Sequence, residues 1–364
     1  MTVSDVAKLL DSLAPLHYAE DFDNVGLLVG NPDTKVSGIL VTLDTLENVV
    51  DEAIALKANM IVSFHPIIFS GLKKLVGANY VQRVVMKALA NDIAIFSMHT
   101  ALDNSYLGVN NKICEVLGLQ NTKILLPKKG TIKKLVTYVP KDAVELVRKA
   151  LFTAGGGTIG NYSDCSFTNQ GTGSFTPGER SIPTIGKKGT AQLVDEFQIH
   201  LTFEAAVEAK VIRALFDSHP YEEVAYEITT LENTNQQIGM GMLGSLPTAM
   251  DEKTFLQFLK TKMNTAVVRH SKLLDKPIRK VAVLGGSGAF AIKAAKNSGA
   301  DIFVTADVKY HQFFEAEGQM VIADIGHFET EQFTKNLLVD FLKEKIPNFA
   351  VTLSESITNP IKYF

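Results

Sequence analysis

The chain holds only two cysteines, Cys114 and Cys165, and no C-x-x-C spacing. That excludes a disulfide framework and a zinc knuckle, and both thiols read as buried structural side chains, Cys114 in an amphipathic helix pattern and Cys165 in a strand-like stretch. No apolar run approaches the roughly 18 residues needed to span a bilayer, so no membrane partner is expected. A strong charge of either sign is also missing. The net charge of -3 gives no global reason to expect nucleic acid. Residues 1–13 carry Ser4, Asp5, Lys8 and Asp11 among apolar positions, which is an amphipathic helix rather than a signal peptide, and a cytoplasmic location follows as the expectation.

What is present is ordinary globular material, 46% hydrophobic and 21% charged over 364 residues, a length that favours more than one domain. From Gly38 onward apolar runs of strand length alternate with helical periodicity. The expected order is strand 38–43, helix 46–57, strand 60–64, helix 80–91, strand 93–97 and helix 108–117. This is the rhythm of an α/β domain built on a largely parallel sheet.

After Leu126-Pro127-Lys128-Lys129-Gly130, read as a linker, the rhythm changes. Strand 133–140, helix 142–152 capped by Asp142, strand 197–203, helix 205–218 and strand 223–231 make two β-α-β units, the pattern of a ferredoxin-like α+β module. The Gly, Ser and Thr-rich stretch 155–189 reads as a long loop or irregular hairpin. The α/β rhythm resumes after Asn233-Thr234-Asn235-Gln236, with helix 251–263, strand 279–284, helix 289–298, strand 301–305, helix 308–317, strand 319–323 and helix 331–345. The fold class expected is therefore a split α/β domain, residues 1–127 and 236–364, with an α+β module inserted at 128–235.

Three histidines each follow an apolar run: His65 after Met60–Phe64, His99 after Ile93–Met98, and His327 after Met320–Gly326. In open α/β sheets ligands sit beyond the carboxyl ends of strands. Imidazoles and carboxylates delivered there from several strands can converge on a metal ion. Taken singly, each has an ordinary reading. His65 before Pro66 is either a ligand or a satisfied structural histidine. Asp103, four residues after His99, is either a ligand or a helix cap. His327 and Glu331 in H-x-x-x-E spacing are either neighbouring ligands on a helix or a surface ion pair. Glu329 lies off that face. His311 follows strand 301–305 with Asp307 and Lys309, and is either an acid–base group or the partner of a carboxylate.

Three further segments carry weaker signals. Gly285-Gly286-Ser287-Gly288 reads as a strand-to-helix turn whose N–H groups can face an anion, without the Lys of a phosphate-binding loop. Asp23-Asn24-Val25-Gly26 reads as turn chemistry, and His219-Pro220-Tyr221-Glu222-Glu223 as a loop first and a functional surface second.

In this order the segments F-D-N-V-G-L-L-V-G (22–30), H-P-I-I-F (65–69), H-T-A-L-D (99–103), G-G-S-G (285–288) and G-H-F-E-T-E (326–331) resemble the Nif-three-like family, whose members are often labelled GTP cyclohydrolase I type 2 homologues. The likeness spans essentially the whole chain, and H-P-Y-E-E (219–223) looks like the inserted PII/CutA-like module of the longer bacterial members. The resemblance implies a dinuclear site with ligands on His65, Asp103, His327 and Glu331, Glu331 bridging and His99 close by. It also implies a homohexameric toroid.

Two departures stand out. Phe64 occupies the position where the family usually has the first of two adjacent histidines, and Ala306-Asp307 replaces a Gly-Asp pair. One or two divalent ions per chain are therefore expected, zinc before manganese or iron. The function expected is a metal-dependent hydrolase of a nucleotide or phosphoester, with His99 or His311 moving protons. The alternative is a non-catalytic metal-binding regulator or scaffold whose inserted module senses a small ligand.

Overall fold

A computed structural model describes residues 1–364, which fall into two compact units, Met1–Pro127 with Gln236–Phe364, and Lys128–Asn235. The first unit carries two sheets. One has the spatial order Gly26–Val29, Ala94–Ser97, Met60–Ser63, Ile39–Thr42 and Val351–Leu353. Its last four strands are parallel, and Gly26–Val29 runs antiparallel along the edge. The other has the order Arg269–His270, Val321–Asp324, Ile302–Ala306, Ile278–Ser287, Gly239–Met250 and Gln120–Pro127. Here three strands are parallel and the flanking pairings are antiparallel.

The parallel strands are apolar on both faces because both faces are covered. Val41, Val62 and Phe96 of the first sheet share one core with Val283, Val304 and Ala323 of the second, and helices Val3–Leu13, Val109–Val116 and Thr334–Lys345 add to it. On the outer faces, Leu40, Ile61 and Ile95 pack with helices Glu47–Ala55 and Tyr80–Ala90, while Ala282, Phe303 and Ile322 pack with Ile292–Asn297. Side chains that alternate between two cores thus fix the register of each strand, and with it the residue that emerges at the strand's end. No helix is long and apolar enough to cross a membrane.

The second unit is a four-stranded antiparallel sheet in the order Phe167–Phe175, Gln192–Glu204, Ile132–Pro140, Tyr226–Thr230, with helices Val144–Thr153 and Glu208–Ser218 on one face. Numbered along the chain its strands run 2-3-1-4, the order of a ferredoxin-like fold.

Several expectations need correction. The stretch 155–189 is not all loop, since Phe167–Phe175 pairs residue for residue with Gln192–Phe197 and on to His200. Its Gly and Thr content masked a strand with weak apolar alternation. Asp142 does not cap a helix: it sits in the 3-10 turn Lys141–Ala143, and the α-helix from Val144 has no side-chain cap. Gly285 and Gly286 belong to strand Ile278–Ser287 rather than to a turn, and a 3-10 turn at Ala289–Ala291 precedes a short helix. Cys165 lies outside any strand and is part-exposed, whereas Cys114 is buried. Both sheets of the first unit are largely parallel in their interior but mixed, because Gly26–Val29 joins the first antiparallel, and Gln120–Pro127, Gly239–Met250 and Arg269–His270 join the second so.

Candidate metal centre

Two of the three histidines leave their strands with a backbone bond to the end of a neighbouring strand. His65 N–H donates to the Leu43 carbonyl at 2.9 Å, and His99 N–H to the Phe64 carbonyl at 2.9 Å. His327 begins the five-residue helix His327–Glu331 after Gly326, whose φ of 98° gives the sharp turn that glycine permits. The i, i+4 spacing then sets His327 and Glu331 side by side.

The three rings are held in the same way. His65 Nδ1 lies 2.8 Å from Asp44 Oδ1, His99 Nδ1 2.7 Å from Asp23 Oδ1, and His327 Nδ1 2.7 Å from Asp307 Oδ2. A carboxylate on Nδ1 fixes the tautomer and turns Nε2 to the other side, the arrangement that orients metal-binding histidines. The aspartates are themselves anchored. Thr358 Oγ1 donates to Asp44 Oδ2 at 2.7 Å, Thr100 N–H and Oγ1 donate to Asp23 Oδ2 at 3.0 and 2.5 Å, and Ser287 Oγ donates to Asp307.

The Nε2 atoms of His65 and His327 meet at Glu331, whose Oε2 lies 3.1 Å from the first and 3.2 Å from the second. One donor atom from each of these residues lies within 4.8 Å of the others. Glu331 Oε2 is sealed from solvent yet accepts no hydrogen bond of acceptable geometry, so distance and alignment disagree. Both Nε2 atoms stand close to it, but neither ring N–H direction points at it. Asp103 Oδ1 is likewise buried and without a partner. Such orphaned oxygens in a polar cluster call for a cation.

The electrostatics agree. Burial opposes charge on both rings, but Asp44 and Glu331 hold His65 up at about 10, and Glu331 with Asp307 hold His327 up at about 9. Burial pushes the Glu331 carboxyl up, and the two imidazoles overcome it and hold the group down at about 2. Asp103 is pushed well above the carboxylate range by burial first and by Glu331 next, with His65 and His327 pulling the other way. Asp23 is held at about 2, because His99 and Thr100 outweigh its burial.

Space for Glu331 is made by glycine. A Cβ on Gly286 would collide with Glu331 Oε1 and stand 3.4 Å from His327 Cε1, and its φ of 68° disfavours a side chain as well. Gly285 N–H donates to Asn110 Oδ1 at 3.0 Å and Gly286 N–H to Thr330 Oγ1 at 2.9 Å, which locks this strand end to two helices. His99 (φ 25°) and Asp307 (φ 55°) both hold left-handed backbone conformations. Strain of this kind costs of order 1–3 kcal/mol and collects at functional sites.

The structure therefore brings together His65, His327 and Glu331, with Asp103 electrostatically coupled to all three and the His99 ring 5.4 Å from that of His65. Asp103 lies inside helix His99–Asn104 and does not cap its start. His311 is not brought in. It sits exposed in the 3-10 segment Tyr310–Ala316, where its ring meets Tyr310 at 5.1 Å and Phe314 at 6.2 Å. Glu329 is turned to Asn359, whose Nδ2 donates to it at 3.2 Å. Phe64 is fully buried in the inter-sheet core, its ring 4.8 Å from His65 and 5.6 Å from His99. Sequence reasoning gives the orienting role to none of the three aspartates: Asp44 is not among its candidates, and Asp307 and Asp23 appear there without a histidine partner. Asp44 and Asp307 each follow a strand within two residues, the signal that had singled out the histidines, and Asp23 had been read as turn chemistry alone.

The Duf34/NIF3 (NGG1p interacting factor 3) family model matches residues 1–360, and the chain belongs to that family. A Bacillus subtilis relative named GTP cyclohydrolase 1 type 2 homolog is 38% identical over 363 residues, 98% of this chain and 97% of that protein. A Staphylococcus epidermidis relative of the same name is 35% identical over the full length of both. Among solved structures, a Bacillus cereus protein related to NIF3 is 38% identical with a TM-score of 0.84, over 100% of this chain and 99% of the other. A Staphylococcus aureus protein is 31% identical with a TM-score of 0.82 over the same shares.

Two outcomes follow from the geometry. Replacing Gly286 by Ala is expected to lower stability by about 1–3 kcal/mol and to weaken divalent-metal binding, because the new Cβ displaces the Glu331 carboxylate; melting curves and metal titration check both. In the metal-free protein His65 and His327 carry protons at pH 7, since about 10 and about 9 both exceed 7. Metal uptake at pH 7 should release about two protons, one per imidazole, and fewer as the pH rises through 9 to 10. Raised imidazole values stabilise the fold fully below the unfolded value near 6.5, and that contribution is lost through the same window. Calorimetry in buffers of different ionisation enthalpy measures the protons, and a proton count of zero at pH 7 would contradict the assignment.

Proposed function

We propose that this chain is a divalent-metal-dependent hydrolase acting on a nucleotide or another phosphoester. The observation that carries the reading is the sealed Glu331 Oε2, set between two imidazole Nε2 atoms and accepting no hydrogen bond. Two imidazoles and a carboxylate, with Asp103 beside them, suit zinc with a position left open for a ligand, and manganese or iron are the alternatives. A divalent ion held by His65, His327 and Glu331 would supply Lewis acidity and a water acidified toward neutrality. The name of the Bacillus subtilis relative, GTP cyclohydrolase 1 type 2 homolog, supports a purine nucleotide as the substrate class.

The chain's own part in the chemistry is orientation and proton transfer. Asp44 and Asp307 hold the rings of His65 and His327 through Nδ1, which leaves both Nε2 atoms beside Glu331. His99, anchored through Nδ1 on Asp23, keeps its Nε2 available to move a proton beside the centre. That role falls to His99 rather than His311, because the His311 ring lies among Tyr310 and Phe314. Phe64 contributes packing and no ligand, which favours one ion per chain over two. A homohexamer is proposed with this reading, supported by the exposed apolar side chains Phe69, Leu75, Val76 and Tyr80 on one segment.

One specific observation, Phe64 in place of an imidazole, favours a second reading, a metal-binding regulator without turnover. Metal analysis and kinetics on the purified full chain separate the two. The hydrolase reading expects about one tightly held equivalent, and hydrolysis of GTP or of a nitrophenyl phosphodiester that falls about 100-fold or more in His327→Ala with the fold intact. One equivalent with no turnover on either substrate leaves the regulator. Failure to retain zinc, manganese or iron sinks both.

A further inference from the structure

The Lys128–Asn235 unit covers one face of its sheet with helices, and Leu135, Val139, Ile199, Leu201 and Phe203 fill that side. Strand alternation sends Tyr138 and Glu196 to the opposite face. There the segment after Phe175 folds back over the sheet. Ile182 N–H donates to a Glu222 carboxylate oxygen at 2.7 Å, and Thr184 Oγ1 donates to the Pro220 carbonyl at 2.7 Å. Between the segment and the sheet lies a cavity of about 440 Å³, within the range of small-ligand sites.

Glu196 lines this cavity at 9% exposure. Its Oε1 accepts from Tyr221 Oη at 2.9 Å, while Oε2 receives no donor from the chain. Gly173 on the neighbouring strand leaves the room that Oε2 occupies, since a Cβ there would collide with it. No lysine, arginine or histidine lines the cavity. His219, two residues before Tyr221, has both nitrogens engaged, Nε2 with the Tyr138 carbonyl at 2.9 Å and Nδ1 with Tyr221 N–H at 3.1 Å. A carboxyl this deeply placed, with one neutral donor and no cation, lacks its complement. The rings of Tyr138, Phe175 and Tyr221 supply aromatic walls, and Glu222 and Glu223 add acidic groups to the lining.

We infer that this cavity binds a small organic cation, a protonated amine on an apolar or aromatic body. The ammonium N–H groups would donate to Glu196 Oε2, the body would lie against the three rings, and the cation would meet their faces. Three carboxyl groups without a basic residue disfavour phosphates and nucleotides here. The inference rests on the Lys128–Asn235 unit alone and is independent of the metal centre.

Calorimetric titration of the full chain with phenethylamine, against its neutral isostere 2-phenylethanol, tests it. The expected result is saturable binding of the amine, with the alcohol about tenfold or more weaker. Glu196→Gln, which keeps an acceptor for Tyr221, should weaken the amine about tenfold or more while leaving the melting temperature and the metal content unchanged. Equal binding of amine and alcohol, no saturable heat at millimolar amine, or an unchanged affinity in Glu196→Gln would each overturn the inference. So would binding of zinc or inorganic phosphate at this cavity in preference to the amine. The comparison of amine with alcohol on the unaltered chain keeps the test decisive if the variant does not fold.

Discussion

The Glu331 carboxylate, buried between two imidazoles at the meeting of two sheets, is the constraint around which the first unit is arranged. An ion of this size taken out of water costs several kcal/mol even after relaxation, and the cost is recovered only where opposite charge and good alignment are both supplied. The chain supplies opposite charge through His65 and His327, held protonated well above neutrality in the metal-free state. Alignment it does not supply, for Oε2 accepts no hydrogen bond. A cation at the same point would satisfy both requirements at once, with the protons displaced. The local structure, bare glycines and strained backbone included, is arranged to keep that carboxylate in place.

The second layer shows how the arrangement is held. Each imidazole leans on an aspartate, and each aspartate is tied to a hydroxyl, Thr358, Thr100 or Ser287. Thr358 belongs to the C-terminal segment, which is itself fixed through Glu52: Ser354 Oγ donates to it at 2.6 Å and Glu355 N–H at 2.8 Å. The orientation of His65 therefore depends on residues from both ends of the chain. Such outer partners change ligand affinity by amounts comparable to the loss of weak ligands, because they set tautomer and direction rather than contact the ion.

Much of this was legible in the sequence, and the reasons differ by element. Strand Met60–Ser63 and strand Ala94–Ser97 were readable because burial on both faces writes an uninterrupted apolar run, and the histidine marks where the run ends. The pair His327 and Glu331 was readable because helical spacing alone makes them neighbours. Strand Phe167–Phe175 was not, since its partly exposed face carries Thr, Asn, Gln and Gly, and pairing with a distant strand rather than local pattern defines it. The glycines at 285 and 286 were noticed but misassigned. Their sequence resembles a turn, whereas their physical reason is the carboxylate that arrives from the facing helix.

Phe64 sharpens what kind of centre the fold can hold. Its ring is fully buried in the inter-sheet core and touches both His65 and His99, so it does by packing what a ligand bond would otherwise do: it restrains the two rings. Packing restrains without attracting charge. The positive charge that Glu331 and Asp103 call for is then offered by the imidazoles, those of His65 and His327 standing nearest Glu331. Phe64 sets an apolar ring 4.8 Å from His65 and 5.6 Å from His99, in a cluster otherwise built of imidazoles and carboxylates. His99 binds Asp23 through Nδ1 and holds a strained backbone conformation, and these two features support its proposed part in proton exchange.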